Sequence, residues 1–181
     1  TNKQTRYTPL PHWTGSSWQG GPKLPDPKIG WPFLNATSGH PDRQADRATI
    51  RRWNAPASGT VTITGRLHHG SPNGDGVRGR IVSSRSGLLG EWIAQKGEAA
   101  TNAKEIPVQS GDSIDFITDC RRDHNSDSFN WTATVSLTAP GGKSVGEWKS
   151  DEGFHGPAPS SPSAIARLPE RMVRAWELAY G

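Results

Sequence analysis

Between residues 48 and 138 the chain alternates apolar and polar positions with a period of two, the pattern of strands that bury one face. ATIRRW (48–53) leads through NAPASG into TVTITGRL, where Val61, Ile63 and Leu67 face one way and Thr60, Thr62, Thr64 and Arg66 the other. After the turn SPNGDG, GVRGRIVS (76–83) puts Val77, Gly79 and Ile81 inward and Arg78 and Arg80 outward, and LLGEWIA (88–94) returns as its hairpin partner. IPVQSGDSIDFITDC places Ile114, Phe116 and Thr118 on one face, with Asp115, Ile117 and Asp119 opposite. The cleanest run is SFNWTATVSLT (128–138), in which Phe129, Trp131, Ala133, Val135 and Leu137 form an unbroken core face.

Short strands separated by turn signals predict an all-β protein, a β-sandwich of jelly-roll type with its core over 48–139. Residues 1–47 carry Pro11, Pro22, Pro25, Pro27, Pro32 and Pro41 among glycine pairs, and read as an irregular Pro/Gly/Trp-rich N-terminal arm packed on the sandwich. GGKSVGEWKSDEGFHGPAPSSPS reads by composition as a linker over 140–164. Over 165–181 a short C-terminal helix is expected, with Leu168, Met172, Trp176 and Ala179 on one stripe and Pro169 in its first turn.

Composition supports a loop-rich β protein: of 181 residues only 31% are apolar, while Gly numbers 21 and Pro 15. The single cysteine, Cys120, excludes an internal disulfide, a four-cysteine zinc site and haem attachment within this chain. A formal charge of +4, with dispersed Lys and Arg, is modest for a nucleic-acid binder, so no nucleic-acid partner is expected. No apolar run approaches membrane-span length, and the start is not a signal peptide; the chain is expected to be a mature or excised soluble piece without direct membrane insertion.

Eight Trp against four Phe and two Tyr is the most unusual feature. Trp53 and Trp131 fall inside strands, whereas Trp13, Trp18 and Trp31 sit among Gly, Pro and Ser, where an indole can lie at the surface and stack on a sugar ring.

Candidate chemistry concentrates in DFITDCRRDHNSDSFNW (115–131). Asp123, Asn125 and Asp127 have the D-x-N-x-D spacing of the first three ligands of a calcium loop, but Ser128 and Thr134 stand where an EF-hand needs Gly and Glu. Asx-turns joining two strands are the preferred reading of those residues, with a shorter calcium loop as the other. Arg121, Arg122 and His124 could grip carboxylate or sulfate oxygens, or simply form a charged, solvated loop that blocks edge pairing.

His68 and His69 are adjacent on a strand, point to opposite faces, and are read as surface histidines. For a glycosidase the available carboxylates are Asp75, Asp115 and Asp119; the last two share a strand face but lie roughly 13 Å apart, too far for either hydrolytic geometry. No nucleophile elbow, P-loop or zinc motif occurs, so no enzymatic activity and no required cofactor are expected. Arg66, Arg78 and Arg80 make either a basic strip or, if Asp115 and Asp119 face them, cross-strand ion pairs.

The order LPHWTGSSWQGG, LPDPKIGWPFLNATSGHP, IRRWNAPASGTVTITGRL, GDGVRGRIVSSRSGLLGEW, SGDSIDFITDC and DSFNWTATVSL resembles the β-rich, carbohydrate-binding-like module of large planctomycete-type cell-surface proteins. Those proteins join a cytochrome c-like domain to several domains of unknown function. The resemblance spans about residues 9–138, and RLPERMVRAWELAYG is similar to the helix that opens the following domain there. It implies an extracytoplasmic setting, at the periplasm or cell surface, and a non-catalytic role; any haem would belong to another domain of the parent.

Together these readings make a glycan-binding module the leading expectation, with Trp13, Trp18, Trp31, Arg121, Arg122, Asp123 and His124 as its lining. Its partner would be a polysaccharide or oligosaccharide, including acidic ones, with calcium at Asp123, Asn125 and Asp127 as an optional ion. A structural module docked on other domains of the parent is the second reading, and a polysaccharide hydrolase or lyase the third.

Overall fold

The computed structural model describes residues 8–44, 47–157 and 176–180, and throughout these residues the regular structure is strand. In chain order the strands are β1 (Thr8–Pro9), β2 (His12–Trp13), β3 (Ser17–Gln19), β4 (Phe33–Asn35), β5 (Ser38–His40), β6 (Thr49–Asn54), β7 (Gly59–His69) and β8 (Val77–Ser83). They continue as β9 (Gly87–Ala94), β10 (Gly97–Ala100), β11 (Ala103–Val108), β12 (Ser113–Asp119), β13 (Phe129–Thr138), β14 (Ser144–Lys149) and β15 (Trp176–Tyr180).

Two antiparallel sheets result. One runs β1-β15-β6-β12-β8-β9; the other runs β10-β7-β13-β5-β4-β3-β2, with β11 also on β7 and β14 also on β13. The long β7–β13 pair forms the spine of the second sheet, from Asn130↔His68 to Thr138↔Thr60. The inward faces follow the alternation in the sequence: Val61, Ile63, Leu67, Val77, Ile81, Ile114, Val135 and Leu137 are all fully buried and belong to one core cluster drawn from both sheets. Phe116 of one sheet meets Trp131 of the other edge to face at 5.5 Å. Gly79 lets that packing close, since a Cβ there would stand 2.7 Å from Leu67 Cδ2 and 3.0 Å from Trp131 Cη2. The architecture is sandwich-like and all-β.

Several expectations need correction. Residues 144–149, placed in a linker, form β14 and pair with β13, with Trp148 meeting Trp53 at 5.4 Å; Gly and Ser in this stretch hide a strand that an existing edge can template. The arm is more regular than its Pro and Gly content implied, because β2 to β5 extend the second sheet strand by strand. Strands β10 and β11 share one edge of β7 and carry no alternation strong enough to announce them. Of the helix expected over 165–181, residues 165–175 and 181 lie outside the described residues, while 176–180 form β15 and pair with the open edge of β6. Four apolar positions do not determine a helix when an unpaired strand edge offers the backbone its hydrogen bonds.

Arg51, on β6, ties the sheets together at their open side. Its buried guanidinium donates to the carbonyls of Asn35 at 2.7 Å, Ala36 at 3.1 Å and Ser150 at 3.1 Å. Burial pulls its pKa down to about 10, with Asp151 acting in the opposite sense, so it is a cation at neutral pH held by backbone dipoles.

Candidate ligand surface and cation cluster at one end of the sheets

Strand register determines which loops meet. Because Arg78 lies opposite Asp119, Asn130 opposite His68 and Phe129 opposite Gly39, the loop 120–128 shares one end of the molecule with the loop 70–76 and the end of β5. The opposite end carries a shallow concavity of about 410 Å³ lined by Ser58, Thr60, Arg85, Pro107, Gln109 and Pro140, among others, without any aromatic ring. A stacking surface for sugar therefore has to be sought elsewhere.

The basic strip resolves into ion pairs. Arg78 Nε and Arg80 Nη2 both donate to Asp119 Oδ2 at 3.0 Å, and Arg52 embraces Asp115 through two bonds of 2.7 and 2.8 Å. Arg66 pairs with Glu98 across exposed β7 and β10 at 3.1 Å. Asp119 is fully buried and also accepts the amide of Arg121, so its carboxylate is saturated by structural partners.

The loop itself is a series of local side-chain turns and two left-handed residues, Arg121 (φ 59°) and Ser126 (φ 67°). Asp123 Oδ1 accepts the amide of Asn125 at 3.0 Å, the Asx-turn that the sequence favoured, and its side chain is 54% exposed. Arg121 points inward: Nη1 donates to the Asp75 carbonyl, and Nε lies 3.9 Å from Asp75 Oδ2. Arg122 is exposed, and His124 is half-buried.

Asp127 behaves differently from its D-x-N-x-D companions. Its side chain is 0% exposed and neither carboxylate oxygen has a hydrogen-bond partner. Burial above all, then the nearby Asp75 and Asp123, pushes it up to about 8 against the opposing pull of Arg121. Asp75 Oδ1 is likewise buried and unpartnered. Burial and the surrounding Asp127, Asp119 and Asp75 raise the Cys120 thiol to about 11, which makes it a poor nucleophile.

The two histidines divide as strand geometry requires, yet His69 is fully buried rather than at the surface, because the 120–128 loop closes over it. His69 Nε2 donates to the Ser126 carbonyl at 2.9 Å, and its Nδ1 accepts the Lys96 amide at 3.4 Å. Its one N–H is thus committed, and Asp127 Oδ1, 4.0 Å from Nε2, gains no hydrogen bond from it.

The three arm tryptophans separate into two environments. Trp13 and Trp18 pair across β2 and β3 with ring centroids 5.5 Å apart. Trp13 also meets Phe154 at 5.6 Å and the backbone of Gly156, and Trp18 Nε1 donates to the His155 carbonyl at 2.8 Å. Both indoles are half-buried and hold the segment 154–156 against the sheet edge. Trp31 is 40% exposed, and its ring neighbour is His40, 5.9 Å away. His40 stacks in turn on Phe33 at 6.5 Å and donates from Nδ1 to the Pro41 carbonyl at 2.5 Å. Burial lowers the His40 pKa, the Pro41 carbonyl opposes this, and His124 lowers it further.

Of the residues singled out in the sequence, the fold therefore sets Trp13 and Trp18 against the 154–156 segment and Trp31 against His40. Sequence reasoning missed three participants: His40, Asp75 as a neighbour of Asp127, and the buried Arg51. Only Asp75 had a local signal, the NGDG turn, which brings a short acidic side chain to a strand end. No protein-family model, curated protein or solved structure matches the chain.

Proposed function

We propose that the chain is a non-catalytic carbohydrate-binding module of jelly-roll type within a larger exported protein of the planctomycete cell-surface kind. The observation that carries the reading is Trp31: an indole left 40% exposed and backed by His40, whose strand β5 pairs with β13 where the 120–128 loop ends. A half-exposed indole backed by another ring loses little freedom when a pyranose covers it. Arg122, Asp123 and His124 would then satisfy hydroxyl, carboxylate or sulfate groups at the rim. Two of the three carboxylates named for hydrolysis support this non-catalytic assignment, since Asp115 and Asp119 are each held by arginine.

The test is a glycan array of neutral, uronate-bearing and sulfated polysaccharides, read with tryptophan fluorescence on wild type and Trp31→Ala. Saturable binding with quenching, lost in Trp31→Ala, is expected. An array without binding, or binding indifferent to Trp31, refutes the assignment.

A second reading rests on a different observation. Edge strand β9 exposes Leu88 (60%) and Ile93 (51%), the two most exposed large aliphatic side chains among the described residues. A module that docks through this edge on other domains of its parent would bind them and no sugar.

A further inference from the structure

At this end of the sheets some buried carboxylate oxygens are left without a donor. Asp119 is saturated by Arg78, Arg80 and the Arg121 amide, and one oxygen of Asp75 faces Arg121. That leaves Asp127, fully buried, with both carboxylate oxygens unpartnered, together with the buried and unpartnered Oδ1 of Asp75. Three buried carboxylate oxygens without a donor are a large unfavourable term unless something positive answers them. His69 spends its N–H on Ser126 and Arg121 donates to the Asp75 carbonyl, so neither donates to these oxygens.

The backbone adds a further oxygen. Gly74, at φ +78°, leaves a cradle where a Cβ would stand 2.1 Å from the Asn125 carbonyl oxygen and 3.5 Å from Asp127 Oδ1. The loop carbonyl and the buried carboxylate thus converge on the same small space beside the NGDG turn. Carboxylate and backbone carbonyl oxygens, completed by water, suit a hard cation rather than zinc.

We propose that this site binds calcium, with the Asp127 carboxylate, Asp75 Oδ1 and the Asn125 carbonyl as protein ligands and water completing the shell. Asp123, the first residue of the D-x-N-x-D run, lies outside the set, since its oxygen closes an Asx-turn at the surface. The ion would pin the 120–128 loop to the 70–76 loop. The inference stands on these oxygens and does not require the glycan reading.

The experiment uses the full chain stripped with EDTA, titrated with CaCl₂ and separately with MgCl₂, and followed by calorimetry and thermal melting without any glycan. Wild type is expected to bind one calcium and to gain about 5 °C or more in Tm at a hundredfold excess over Kd. Magnesium, which demands a tighter octahedral shell, is expected to bind at least tenfold more weakly. Asp127→Asn and Asp75→Asn are expected to lose the shift, while Asp123→Asn keeps it. Far-UV circular dichroism confirms that each variant is folded. No heat and no shift in wild type at millimolar calcium overturns the inference, as does an undiminished shift in folded Asp127→Asn. Loss of calcium binding only in Asp123→Asn would reassign the ion to the loop surface and overturn the proposed ligand set.

Discussion

The guanidinium of Arg51 donates to the carbonyl of Ser150, 99 residues further along the chain, at 3.1 Å in a buried setting. The same side chain takes the carbonyls of Asn35 and Ala36, so one cation joins β6, the β4–β5 turn and the segment after β14. Burying a cation is unfavourable in itself, and the three carbonyls make it tolerable.

Arg51→Met would strand those carbonyls, and a loss of about 2–4 kcal/mol is expected, or a Tm fall of roughly 5–15 °C. Arg51→Lys, with a single ammonium replacing the planar fork, should fall between. Thermal melting checks both, and a Tm within 2 °C of wild type for Arg51→Met would remove the guanidinium from the account of stability.

The tryptophans of the arm should respond differently. Trp13, packed on Trp18 and Phe154, is expected to cost about 1–3 kcal/mol when changed to Ala, whereas the exposed Trp31 should cost under about 1 kcal/mol. Chemical denaturation of the two variants decides the point. Equal losses would mean that Trp31 is as structural as Trp13.

His40 should make the protein acid-sensitive. Its folded pKa lies below the ordinary 6.5, chiefly through burial, so the unfolded chain takes up the proton first as pH falls. Stability from this group is intact above pH 6.5 and is lost between 6.5 and the lower folded value. The slope of Tm against pH in that window should flatten in His40→Gln, whose amide can keep a donor near the Pro41 carbonyl. An unchanged slope would assign the acid sensitivity to other groups.

Thr49 presents a buried hydroxyl without a protein partner beside an inter-sheet cavity of about 10 Å³, roughly the room of one water. Thr49→Val is expected to leave stability unchanged or to raise it by up to about 1 kcal/mol, because an unsatisfied polar atom is removed. A loss above about 1 kcal/mol would show that the hydroxyl is satisfied by an ordered water in the cavity.

The amino-acid sequence by itself determined the core strands. Period-two alternation in TVTITGRL, GVRGRIVS and SFNWTATVSLT depends only on which residues shun water, and every inward position named from it is buried. It also determined the Asp123 turn, because an Asx hydrogen bond spans two residues and needs no distant partner. Tertiary structure alone decided the rest. Strands β10, β11 and β14 and the β15 segment exist because a neighbouring edge offers hydrogen bonds that no local pattern announces. The approach of the Asp75 turn to Asp127 comes from register between strands far apart in sequence, whereas Trp31 meets His40 through the local β4–β5 pairing. The burial of Arg51 rests on carbonyls of Asn35, Ala36 and Ser150 that only the fold brings to it. Local chemistry is written in the order of residues, whereas an unpaired carboxylate, a buried cation or a half-exposed indole is a property of what folding brings beside it.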